Sequence, residues 1–157
     1  MKKDKCILTG LFFGLLIAVL SLLCAFSSSD GEGKEEQPVV LSIDVLKKWT
    51  YVEGKTPIPD FIHAFDGKTV NMRGYMMALN TVDNIKSFIL MPSLFGCCYG
   101  QPPAVNHVVL VKMAGGKSAR YFDDVVRVRG RFHCSEERYE GVLLSLYRID
   151  ADKVVAK

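Results

Sequence analysis

Thirteen consecutive residues, FGCCYGQPPAVNH at 95–107, hold most of the side chains that bear on chemistry in this chain. Adjacent Cys97 and Cys98 are followed by Pro102, Pro103, Asn106 and His107, and His133 and Cys134 stand together further on. Thiolate and imidazole together suit zinc or copper(I). A strand carrying Cys134 beside this stretch would bring Cys98, His107 and Cys134 together as three metal ligands. The side chains of adjacent cysteines diverge, and no C-x-x-C spacing is present, so Cys97 is not counted among them. A second reading is a Cys98–Cys134 disulfide, which suits an oxidising compartment and leaves Cys97 over. A third is a rigid bend. There the cysteines pack as small hydrophobes, Gly96 and Gly100 permit unusual backbone angles, and the two prolines stiffen the return. Under that reading the stretch is a rim loop and a contact surface, with Phe95, Cys97, Cys98, Tyr99, Pro102, Pro103 and Asn106 supplying stiff, flat area.

Other chemistries find less support. The chain has no G-x-S-x-G, H-E-x-x-H, P-loop or dinucleotide fingerprint, so neither enzymatic activity nor a resident cofactor is expected, zinc or copper being the alternative. His63 lies in DFIHAF, an apolar setting that favours a structural role. Residues 39–157 carry sixteen Lys and Arg against twelve Asp and Glu, well interspersed, a balance that does not call for a nucleic-acid partner.

The elements that must hold this loop read mostly as strands. Ser42 is placed to cap a short helix in which Ile43, Leu46 and Trp49 share a face, and Pro57 and Pro59 stop any continuation. Asp66-Gly67 forms a tight turn. Beyond it Val70 and Met72 alternate with Thr69, Asn71 and Arg73, the period of a half-buried strand, with Gly74 as a bulge or sharp bend. SFILM and HVVLVKM are short, continuous apolar runs. In DVVRVRGRFHC, Val126, Val128 and Phe132 point one way and Arg127, Arg129 and Arg131 the other. GVLLSLYRI closes the series, with ADKVVAK following. About five strands with glycines inside two of them predict a mainly β domain: a small curved sheet or partly open barrel of the oligonucleotide/oligosaccharide-binding type, OB-like for short.

The amino terminus has a different character. MKKDK, residues 1–5, is a basic lead, and residues 6–26, CILTGLFFGLLIAVLSLLCAF, carry no charge. Such a run is long enough to span a bilayer as a helix, which needs about 20 residues, and a basic start before an apolar core is also the layout of an export signal. Residues 27–37 are small, polar and acidic, a solvated linker. The basic lead stays in the cytoplasm by the positive-inside rule. The expected arrangement is therefore a single-pass anchor in the cell membrane with residues 38–157 outside the cytoplasm. The alternative is a secreted or periplasmic domain released by cleavage near Ser27.

DGKTVNMRGYMMAL, FILMP, FGCCYGQPP with Asn106, VVRVRGRF and SLYRIDADKV together resemble an exported bacterial family, domain of unknown function 3299. The resemblance runs over residues 49–155. Cys98 aligns with that family's cysteine, while Ala78 and Gly100 stand where it has proline and histidine. It implies an extracytoplasmic, barrel-like domain and supplies no enzymatic residues. The expected function is thus that of a membrane-tethered binding domain, accessory to an envelope protein or a membrane transport complex through its rim loop. A metal-binding domain using Cys98, His107 and Cys134 is the alternative from a different class, and a thiol-redox accessory protein a third.

Overall fold

A computed structural model of the chain describes residues 37–94, 100 and 102–157. The anchor or signal at 6–26 lies outside the described residues, and among the described residues no helix is long and apolar enough to cross a membrane. The described part forms a mainly β unit. Its strands are β1 (Val39–Val40), β2 (Thr69–Ala78), β3 (Ser87–Met91), β4 (Val109–Met113), β5 (Val126–Tyr139) and β6 (Val142–Ala156). Two one-turn helices, α1 (Ile43–Leu46) and α2 (Asp60–His63), and a 3-10 turn at Val105–His107 complete it.

The strands make one mixed sheet in the order β1-β2-β3-β4-β6-β5, and β5 pairs back onto β2, so the sheet is partly ring-like. The β1–β2 and β4–β6 pairs are parallel and the others antiparallel. Six strands replace the expected five. The extra one, β1, is two residues long, too short to show a period, and is held by its parallel pairing with Val70 and Asn71. ADKVVAK is not a tail: β6 continues through it to Ala156, paired with Val126.

Inward positions follow the alternation legible in the sequence. Val70, Met72, Val126, Val128 and Phe132 are buried in one core with Phe88, Leu90, Val109, Val111, Tyr147 and Ile149. Arg73, Arg127 and Arg131 face outward and are exposed. The continuous apolar runs have a different cause. In β3 and β4 both faces are covered, because Ile89, Met91, Val108 and Leu110 form a second buried cluster with Tyr75, Met77, Leu79, Leu94 and Leu144 on the outer side. Ser42 caps α1 as expected, its side chain accepting from the Asp44 N–H at 3.2 Å, with Ile43 and Leu46 buried. Trp49 lies beyond the end of that helix and packs on the core from there. A second helix was not foreseen: Pro59 opens α2, which buries Ile62 and leaves His63 exposed at its last position.

The two strand glycines differ. Gly74 is not a bulge. It is the last β2 residue paired with β5, and the next, Tyr75, begins the pairing with β3. Gly130 does sit at a register shift, where β5 crosses close to β6.

Candidate functional site

Asn106 is the residue that ties the 95–107 stretch to the body. It is 1% exposed, and its side-chain amide donates to the Trp49 carbonyl at 2.8 Å. Burying that amide without a partner would cost roughly 1–3 kcal/mol, so the bond sets where the loop returns. Trp49 in turn donates its indole N–H to the Tyr147 hydroxyl at 3.0 Å. Burial, the largest influence on Tyr147, raises its pKa, so the hydroxyl stays protonated. Tyr147 stacks on Phe132 with ring centroids 5.6 Å apart, and its backbone partner across the β5–β6 pair is Cys134. One run of contacts therefore leads from the loop through the core to Cys134. The next residue after the turn, Val108, is fixed by the buried Ser145 hydroxyl, which donates to its carbonyl at 2.7 Å.

The sequence-derived site residues fall as follows. Phe95, Cys97, Cys98 and Tyr99 lie outside the described residues. Pro102 is exposed and Pro103 half-buried on the way back to the 3-10 turn. His107 ends that turn half-buried, and burial followed by the charge of Lys47 lowers its pKa, which favours the neutral, ligand-competent imidazole. Cys134 is a free thiol. Burial and then the Asp66 carboxylate push its pKa up to about 11, and its Sγ lies 3.8 Å from the Ile62 carbonyl. A neutral, inward-packed thiol is a poor ligand until it is deprotonated. Among the described residues no group of three or more His, Cys, Asp or Glu is gathered to hold a metal ion.

Sequence reasoning missed a second polar feature. A ladder of charges crosses β4, β6 and β5 on the outer face. Glu137 sits at its centre, 8% exposed, bound by Lys112 at 2.9 Å and Arg148 at 3.0 Å. Arg148 also reaches Asp150 at 3.0 Å, and His133 lies 3.2 Å from Asp150 and 3.9 Å from Asp66. The Asp66 carboxylate accepts the Cys134 backbone N–H at 3.0 Å, so the expected Asp66-Gly67 turn also fixes the middle of β5. Only Arg148 and Asp150, two apart on one strand, gave a local signal. The remaining pairs depend on strands being neighbours.

Glu137 sets a pH dependence. Burial alone raises its carboxyl, but hydrogen bonds from Lys112 and Ser135 and the charges of Lys112 and Arg148 outweigh burial and hold it below the usual range. A depressed carboxylate stabilises the fold above its unfolded value of about 4.3, and that contribution is lost as pH falls through the lower folded value. Thermal melts across pH should therefore show wild type losing stability below about pH 4. Glu137→Gln should be less stable at neutral pH, by about 2 kcal/mol, with a flatter acid limb. Parallel pH profiles for the two proteins would remove Glu137 from this role.

Comparison with known proteins places the chain in context. A family model described as protein of unknown function (DUF3299) matches residues 45–156. The crystal structure of a DUF3299 family protein from Pseudomonas aeruginosa PAO1 is similar at 23% identity and a TM-score of 0.54, covering 74% of this chain and 94% of that one. That likeness concerns the fold. A Leishmania major Friedlin protein assigned as an aspartyl-tRNA synthetase aligns at 10% identity with a TM-score of 0.37, over 78% of this chain and 21% of its own, and carries no argument. No curated protein matches the chain.

Proposed function

This chain belongs to the DUF3299 family of proteins of unknown function, and on that premise we propose that it is a membrane-tethered, extracytoplasmic binding domain, accessory to an envelope protein or membrane transport complex. The observation that carries the reading is the footing of the β3–β4 connection. At one end Leu94 packs into the outer apolar cluster; at the other the buried Asn106 amide donates to the Trp49 carbonyl, and the buried Ser145 hydroxyl donates to the Val108 carbonyl. Fixed ends lower the ordering cost of a contact made between them, which favours recognition over catalysis. The OB-like reading belongs here too. It is supported by the return order β2-β3-β4-β6-β5 with a parallel β4–β6 pair, β1 being an addition at one edge. Tethering rests on residues 6–26, with cleavage near Ser27 as the alternative.

The test is affinity capture with the full chain solubilised from membranes. Wild type should retain an envelope partner that the Phe95→Ala/Tyr99→Ala variant loses, at unchanged melting temperature. Asn106→Ala should weaken the same capture and lower stability by about 1–3 kcal/mol, since it leaves the Trp49 carbonyl without its donor. Identical partners for wild type and the loop variant would remove the loop from this role.

A further inference from the structure

Outward-facing Arg73 of β2 and Arg127 of β5 are direct cross-strand partners. Both are exposed, and neither makes an ion pair among the described residues. Like charges placed directly opposite one another destabilise a sheet, where an opposite-charge pair would stabilise it. The neighbouring positions bring further basic residues to this face. Asn71 is paired with Arg129, and Arg129 with Lys153, and the nearby acid, Asp152, lies 3.6 Å from Arg129.

The two arginines do not stand on a flat surface. With Asn71 and the chain at Val40–Ser42 they line a hollow of about 390 Å³. A smaller hollow of about 190 Å³ adjoins it, sharing Asn71 and Arg127 and reaching Arg129 and Lys153. Two guanidinium forks with an amide donor beside them suit the tetrahedral oxygens of a phosphate, which arginine binds through paired N–H groups. Such a ligand would also relieve the repulsion between Arg73 and Arg127.

We propose that Asn71, Arg73 and Arg127 form a phosphate-binding hollow, and that its ligand is the head group of an anionic phospholipid. The choice of a lipid rests on the tethering read above. β1, which edges the hollow, is the first strand after the linker, and eleven linker residues, 27–37, extend to at most about 40 Å. The hollow therefore stays within reach of the bilayer, where head groups are concentrated and basic residues are attracted to anionic lipid.

The experiment uses the full chain in nanodiscs of phosphatidylcholine, with and without phosphatidylglycerol, and reads arginine modification by phenylglyoxal residue by residue. With phosphatidylglycerol, modification of Arg73 and Arg127 should slow about tenfold, as expected of a site about nine-tenths occupied. Arg120 and Arg138, away from the hollow, should be unaffected. Equal protection by inorganic phosphate in phosphatidylcholine discs would overturn the lipid assignment. Absence of protection under both conditions would overturn the site itself. A chain that fails to enter discs would refute the tether and not the hollow. The soluble chain is then sedimented with phosphatidylglycerol vesicles, and the site stands only if Arg73→Gln/Arg127→Gln loses that binding. The double variant should melt no lower than wild type, because it removes a repulsive pair.

Discussion

Gly130→Ala should lower the stability of this domain by about 3 kcal/mol, near the upper end for forcing an extra methyl into a packed core. A Cβ at this position would meet the Asp150 carbonyl oxygen, and would lie 2.7 Å from the Ala151 Cα and 2.7 Å from the Ile149 Cγ2. Two of those three neighbours are backbone atoms of β6, so relief requires the strands to part rather than a side chain to turn. They cannot part cheaply, because Gly130 is paired on both sides, with Val70 of β2 and with Ala151 of β6, the second within the longest strand pairing of the sheet. For a domain of this size the loss corresponds to a drop of about 12 °C in Tm. Gly74→Ala should cost less. Its Cβ would lie 2.8 Å from the Met91 carbonyl, but its other close neighbours, Leu90 Cγ at 2.9 Å and Ile43 Cδ1 at 3.0 Å, belong to side chains. Thermal melts of the two variants check the order. A Gly130→Ala protein melting with wild type would mean that β5 and β6 do not approach this closely.

Phe132→Ala is the second large effect, expected at about 4 kcal/mol. The ring is fully buried and stacked at 28° on Tyr147, itself buried, in the core between β5 and β6. Removing it leaves a cavity, while the backbone at this position is held from outside: Gly67 donates to the Phe132 carbonyl at 2.8 Å, and Phe132 donates to the Lys68 carbonyl at 2.9 Å. This part of β5 therefore shifts little to fill the space, and the cost approaches the full cavity value. In urea the midpoint should fall with the slope unchanged, the signature of lost stability without a change in the surface exposed on unfolding. Tyr147→Phe is the informative companion. It keeps the stack and removes only the hydroxyl that accepts from Trp49, so about 1 kcal/mol should be lost. A loss as large as that of Phe132→Ala would move the weight from ring packing to the Trp49 hydrogen bond.

The second effect bears on the proposed loop. Phe132, Tyr147 and Trp49 form the path by which Asn106 is held. Loosening the path at Phe132 should therefore weaken partner capture as well as stability.

Much of the local structure was legible in the residues. Alternation at Thr69–Arg73 and Val126–Phe132 told inward from outward correctly, and Ser42 announced α1. The unbroken apolar runs SFILM and VVLV marked β3 and β4, but not that both their faces would be covered, since a short apolar run has the same appearance in several settings. β1 was missed because two residues carry no period, and α2 because Pro59 reads as a breaker when it opens a helix as readily as it ends one. Of the candidate site, Asn106 was named only as part of a contact surface. Its burial and its bond to Trp49, 57 positions away, have no local trace.

The chain alone determined which side of each strand is greasy, where turns fall, and that an uncharged amino-terminal run precedes a strand-rich body. These follow from side-chain sterics and solvent preference acting over a few neighbouring residues. Tertiary structure alone decided that β5 returns to β2, that β4 lies parallel to β6, that Glu137 gathers Lys112 and Arg148, and that Arg73 faces Arg127. Each of those joins residues far apart along the chain. Their partners are chosen by how the whole core packs and by which charges that packing leaves side by side, and no short window of sequence contains that information.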